Sequence, residues 1–221
     1  MKKLYRYSSS KHNEALLSRG SVRVGTLFDF RKLEHKEGIS DPQEGFKKVS
    51  HHVSLATGEV AGSVDRQALK AYKAVEFSSD AKGAMVKNCL LVREIAEQDY
   101  YIHCTSDSLS KETMASFEGA DSCVEIFDPV GFYQRLTNVL MALGHVTEAK
   151  FFDVTYKPRE EAWNKIDWGM SPALIKEEIY SVQSEFRTIW YPGSTSPLEP
   201  IILEDFELTK FCREVDLKSI K

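Results

Sequence analysis

Gln183-Ser184-Glu185-Phe186-Arg187-Thr188-Ile189-Trp190-Tyr191 is the stretch on which the reading of this chain turns. It closes a run from Glu178 to Tyr191 that is rich in aromatic and β-branched residues and free of glycine and proline, which predicts one long strand. Alternate side chains of a strand share a face, so Gln183, Glu185 and Arg187 are expected to project together while Ser184 and Phe186 turn to the other side. Taken alone, that polar row suits the solvated face of an edge strand as well as it suits a site.

Working outward, Ser122 to Phe127 reads as a strand, and Asp128-Pro129 opens the clearest helix, an N-cap carboxylate before a proline at the first helical position, with Gly144 closing it. Phe151 to Tyr156 is read as a strand, Pro158 to Trp163 as a helical turn, Ser171-Pro172 as a helix start and Ile201 to Phe211 as one or two closing strands. Upstream, Leu4 to Tyr7 suits a first strand, Lys11 to Arg19 a helix stopped by Gly20, and Ser21 to Thr26 a second strand. Residues 46–60 suggest a hairpin turning at Thr57-Gly58, Asp65 to Phe77 and Ser110 to Phe117 short helices, and Lys87 to Ile95 and Tyr100 to Thr105 two strands joined by an acidic turn. Strands outnumber helices without regular βαβ alternation, and no repeat or linker divides the chain. The expected fold class is α+β, mostly antiparallel sheets with flanking helices, in a single domain over residues 1–221.

The 221 residues, 42% hydrophobic, suffice for one sizeable core. A net charge of -4 gives the whole chain no attraction to a phosphate backbone, although a local groove with Lys47, Lys48, Arg159 or Lys165 stays open. Cys89, Cys104, Cys123 and Cys212 form no Cys-x-x-Cys pair and read as reduced thiols. No apolar run approaches the roughly 20 residues of a membrane span, so a cytoplasmic protein without a membrane partner is expected. Dinucleotide-fold, P-loop, zincin and hydrolase-elbow signatures are all missing. Asp29 to Gly45 is a loop dense in ionisable groups, among them Glu34, His35, Glu37, Asp41 and Glu44. His51 and His52 point to opposite faces of a strand and cannot chelate as a pair, and no metal site is assigned.

Three clusters carry chemistry: Tyr5-Arg6-Tyr7, His103-Cys104-Thr105-Ser106 and Gln183-Ser184-Glu185-Phe186-Arg187. In order and type, Arg6, Cys104-Thr105-Ser106 and Gln183-x-Glu185 resemble the arginine, serine, glutamate class of ADP-ribosyltransferases, with cysteine where the middle strand of that class begins with serine. Over most of its length the chain also resembles an uncharacterised bacterial family that begins with a Leu-Tyr-Arg/Lys-Tyr strand, continues through an Asn/Ser-Asp-Pro-x-Glu loop, here Ser40-Asp41-Pro42-Gln43-Glu44, and ends on a Glu-x-Arg strand, here Glu185-Phe186-Arg187. The first resemblance implies an ADP-ribosyltransferase-like fold and transfer of ADP-ribose from NAD, as a substrate, to a macromolecular acceptor, protein or nucleic acid. It also implies a toxin or phage-defence effector, with an antitoxin-like inhibitor as a partner. Glu185 would stabilise the developing positive charge on the sugar and Gln183 would meet the acceptor. Arg6 would hold the pyrophosphate, and Thr105 or Ser106 would orient Glu185. Two other classes remain open: a non-catalytic nucleotide- or partner-binding module on the same fold, and a metal-dependent nuclease or hydrolase using Asp41 and Glu44.

Overall fold

A computed structural model describes residues 2–32, 41–78, 80–193 and 197–219. In chain order, β1 (Leu4–Ser8), α1 (Ser10–Arg19) and β2 (Ser21–Thr26) are followed by β3 (Phe46–Thr57), α2 (Val64–Ala71) and β4 (Met85–Ala96). Next come β5 (Tyr101–Ser106), α3 (Lys111–Ala115), β6 (Ser122–Ile126), α4 (Pro129–Ala142), β7 (Val146–Asp153), β8 (Thr155–Tyr156) and β9 (Glu160–Ala162). β10 (Ile175–Lys176), β11 (Glu185–Pro192), β12 (Ile201–Glu204) and β13 (Cys212–Glu214) complete the order. The architecture is α+β with mostly antiparallel sheets. Where the composition suggests a single domain over 1–221, contacts group the chain into two compact units: Met1–Glu44, Gln98–Lys157 and Ala173–Lys221 in the first, Gly45–Glu97 and Pro158–Pro172 in the second.

The first unit holds an eight-stranded sheet in the order β12-β2-β5-β1-β6-β13, with β11 beside β5 and β7 beside β11, and every pairing in it is antiparallel. Helix α4 covers one face. Asp128 caps it by accepting from the Gly131 amide (3.1 Å), and Phe132, Tyr133, Leu136 and Leu140 enter a core with Leu4, Leu16, Val124, Phe186 and Trp190. Each such side chain, taken fully out of water, contributes about 1.5–3 kcal/mol. The Trp190 indole donates to Thr137 Oγ1 (2.8 Å), so the largest buried ring leaves no polar atom unmet. Gly20 ends α1 in the left-handed region (φ 68°), where an added Cβ would fall 1.8 Å from the Asp205 carbonyl oxygen, and only glycine fits.

In the second unit β4 pairs with β3 and β9 lies parallel to β3 on its other edge, and α2 packs against β3. This differs from the hairpin expected over residues 46–60, because β3 runs straight through to Thr57 and takes its partner from beyond α2. The two strands joined by the acidic turn, β4 and β5, belong to different units. Pro158 to Trp163, read as a helical turn, contains β9. Its backbone is drawn into the ladder when the Arg159 carbonyl accepts from Lys48 N and Trp163 N donates to the Ser50 carbonyl. Ser171-Pro172 starts only one turn of 3-10 helix, Pro172–Leu174.

The largest departure concerns the stretch quoted first. Residues Glu178–Gln183 form a 3-10 helix, Ser184 takes a left-handed conformation (φ 41°), and the strand begins only at Glu185. Backbone groups that would extend the ladder are otherwise engaged: the Ser184 carbonyl accepts from Asp107 N (2.9 Å), and Glu185 N donates to Tyr156 OH (2.7 Å). Gln183 therefore does not share the alternating face of Glu185 and Arg187. Among the described residues no helix is long and apolar enough to cross a membrane.

Candidate functional site

Register decides which side chains meet. Glu185 stands opposite Ser106 and Arg187 opposite Cys104, so these four lie on one face of β5 and β11, while Thr105 and Phe186 lie on the face toward α4. β5 keeps β11 along one edge but changes partners on the other. Tyr101 and Ile102 pair with β2, Ser106 pairs with Tyr5 of β1, and among the described residues no strand pairs with that edge over His103–Thr105. β1 and β2 therefore diverge, and a cavity of about 790 Å³ opens there, within the first unit. Arg6, Thr105, Ser106 and Glu185 all line it, as do Glu44 and Lys176.

Inside the cavity a chain of buried ion pairs surrounds Glu185. Arg187 donates through Nε to Glu185 Oε1 (2.5 Å) and through both Nη atoms to Glu44 (2.7 and 3.0 Å), and its Nη1 also reaches the Ala173 carbonyl (2.5 Å). Lys176 Nζ meets Glu185 Oε2 (2.7 Å) and Gln183 Oε1 (2.9 Å). Arg187 and Glu44 are each 2% exposed in their side chains, so these charges are neutralised by one another rather than by water. Burial alone would raise the Glu185 carboxyl, but Arg187 and Lys176 outweigh it and hold the group well below the usual carboxylate range. The Cys104 thiol, beside the same carboxylate, is pushed up by burial and by that charge and stays protonated.

Arg6 is different. Its Nη1 donates to Asn13 Oδ1 (3.1 Å) and to the His12 carbonyl (3.3 Å), and among the described residues no carboxylate reaches it. Burial lowers its pKa, yet a guanidinium stays charged, so the cavity contains a cation without a counter-charge. Six cationic side chains (Arg6, Lys11, Arg19, Arg23, Lys176 and Arg187) line the cavity with three carboxylates (Glu14, Glu44 and Glu185); Arg19 pairs with Glu204 and Arg23 with Asp29, so the other four cations exceed the carboxylates by one, in a chain of net charge -4.

Two expected roles change. Ser106 Oγ accepts from Ser108 N (3.0 Å) and donates to the Ser108 carbonyl (3.2 Å), closing its own turn, and Thr105 Oγ1 lies 3.3 Å from Tyr133 OH on the far face. Neither hydroxyl orients Glu185, because the two cations already occupy both carboxylate oxygens. Gln183, 1% exposed, is tied to Lys176 and is not among the residues lining the cavity, so it does not face an acceptor there. Lys176 carries no mark in the sequence. Arg187 and Glu44 do, as the ends of the Glu-x-Arg strand and the Ser-Asp-Pro-x-Glu loop. In the acidic loop, Glu34, His35 and Glu37 lie outside the described residues. Among the described residues no group of three His, Cys, Asp or Glu side chains is placed to hold a metal ion.

His103 lines the cavity and packs against α4, with Nδ1 3.0 Å from Tyr133 OH. Burial first, and the Arg6 charge second, pull its pKa from 6.5 to about 3, so the ring is neutral in the fold. The unfolded chain binds that proton near pH 6.5 and the folded chain does not, hence stability present above pH 6.5 is lost as pH falls toward 3, at a rate of up to about 1.4 kcal/mol per pH unit. Urea unfolding of wild type and His103→Gln from pH 7 to 5 checks this: the variant is expected to show the shallower slope, and equal slopes would mean that the folded ring is protonated.

The class that fold and site define is thus a mostly antiparallel α+β protein with a partly open cleft containing a buried carboxylate clamped between two cations. Comparison with protein-family models, curated proteins and solved structures finds no match to the chain.

Proposed function

We propose that the chain is a mono-ADP-ribosyltransferase that moves ADP-ribose from NAD to a macromolecular acceptor, on an ADP-ribosyltransferase-like fold. One observation carries the reading: Arg6, Ser106 and Glu185, from three strands far apart in sequence, line one cavity. Its volume of about 790 Å³ lies within the range of roughly 300–1,000 Å³ typical of small-molecule sites. The un-neutralised Arg6 suits a pyrophosphate, which a guanidinium meets with several directed donors. Glu185, held ionised, suits a sugar carbon that becomes positive as the bond to nicotinamide breaks. The unpaired edge of β5 offers main-chain donors and acceptors to a carboxamide.

A second reading, nucleotide binding without turnover, is favoured by the two ion pairs on Glu185, which leave less of its charge for a substrate. A metal-dependent hydrolase built on Asp41 and Glu44 lacks such support, because Glu44 gives both oxygens to Arg187.

Incubation with adenylate-labelled NAD and a cell lysate, bulk RNA or DNA separates the readings, with NAD affinity measured by calorimetry in parallel. The transferase is expected to label one acceptor class, and binding without label would establish the module instead. Arg6→Met is expected to weaken NAD binding by about 10- to 100-fold, as the loss of charge-assisted hydrogen bonds does. Unchanged affinity in that variant would remove Arg6 from the site.

A further inference from the structure

Lys176 is the one cavity cation within reach of Glu185 that no motif marks. It sits on β10, a two-residue strand whose parallel pairing with Thr155–Tyr156 places it beside the start of β11. Its side chain is 6% exposed, too buried to serve as solvated surface charge. Its ammonium has two oxygen partners, Glu185 Oε2 and Gln183 Oε1, and lies 5.1 Å from the Tyr180 ring centroid. Arg187 takes the other oxygen of Glu185, and Tyr156 OH accepts from its backbone amide. The carboxylate of Glu185 is thus fixed at both oxygens and at its main chain.

We propose that Lys176 is a positioning residue for the transfer reaction: with Arg187 it clamps the Glu185 carboxylate in one orientation, charged and facing the cavity. The assignment rests on the transferase reading above. It explains why neither Ser106 nor Thr105 reaches Glu185, since the clamp takes over the orienting role those hydroxyls were expected to fill. It also gives Gln183 a place, as the second acceptor that holds the ammonium on line. Arg187 is the poorer residue to vary, because it also carries Glu44 and the Ala173 carbonyl. Lys176 meets the clamp and the Tyr180 ring.

The titratable groups that face Glu185 are Arg187 on its own strand, Lys176 on β10, Cys104 on β5, Tyr156 on β8 and, through Arg187, Glu44 of the loop. Burial raises both the Cys104 thiol and the Tyr156 hydroxyl, so neither ionises over the acid range in which the clamp is tested. Lys176→Met and Lys176→Arg are compared with wild type in label transfer from NAD at pH 7, with circular dichroism confirming the fold. Lys176→Met is expected to lower transfer by about 100-fold, the size of effect that misplacing a reacting group produces. Lys176→Arg should recover most of the rate, because it restores the positive charge beside Glu185. A rate in Lys176→Arg as low as in Lys176→Met would overturn the proposal. Carbon-13 NMR of the Glu185 carboxyl, assigned through Glu185→Gln, reads the clamp without activity: protonation at a higher pH in Lys176→Met supports it, and an unchanged titration overturns it. If wild type labels nothing while this titration moves, the transferase reading fails and the clamp stands.

Discussion

Glu185→Gln is expected to lower transfer of ADP-ribose by on the order of 10² to 10³, the size of loss seen when one preorganised group that meets developing charge is removed. The substitution keeps the shape but removes the negative charge and turns one of the two acceptor oxygens into an NH2 donor, so it tests the carboxylate. NAD affinity should change far less, because on the proposed reading the donors for the pyrophosphate would come from Arg6, on another strand and bonded to Asn13 and the His12 carbonyl. Rates are to be normalised to the folded fraction, since the variant leaves Arg187 paired with Glu44 and takes from Lys176 its ion pair with Glu185. Full transfer by a folded Glu185→Gln protein would end the case for this residue as the catalytic carboxylate.

Arg187→Leu is expected to have the largest effect on stability. It strands Glu44 and leaves Glu185 with Lys176 alone, in a cavity wall where the arginine side chain is 2% exposed. Breaking a buried pair by removing one partner costs about 3–5 kcal/mol, a large share of the 5–15 kcal/mol that holds a typical domain together. For a chain of this size each kcal/mol is worth about 2–4 °C, so thermal unfolding should fall by roughly 6–20 °C. The pH dependence should flatten as well. In wild type Glu185 is depressed below its ordinary 4.5, so its contribution is present above pH 4.5 and is lost as pH falls further. In Arg187→Leu, Glu185 loses one of the two cations that hold it down and keeps Lys176, so less of that contribution remains to be lost. The double variant Glu44→Gln, Arg187→Leu removes the stranded charge, leaves Lys176 paired with Glu185 and should recover much of the loss, because a neutral replacement of a buried ion pair costs little. A wild-type melting temperature in the single variant would show that the cluster is solvated.

How much of this was legible can be judged from particular residues. The strand at Leu4–Ser8, the helix stopped by Gly20 and the helix opened by Asp128-Pro129 all rest on local rules of capping and periodicity, and the structure has them. Arg6, Thr105, Ser106 and Glu185 were legible as a set, and they do line one cavity. Their contacts were not. Nothing in the alternation of residues 183–187 shows that Ser184 turns left-handed and takes Gln183 out of the row, since the bonds responsible come from Asp107 and Tyr156.

By itself, then, the sequence determined the class of fold, the composition of its elements and the residue types available for chemistry, because periodicity, caps and side-chain chemistry act over a few neighbouring residues. Only the tertiary structure decided which of those residues meet. Glu44 lies 143 positions from the Arg187 it neutralises, Lys176 reaches Glu185 from a two-residue strand, and the cavity exists because β5 changes partners between Ile102 and Ser106. Charges taken out of water must find partners wherever the chain folds back, and those partners are set by register and packing rather than by distance along the sequence.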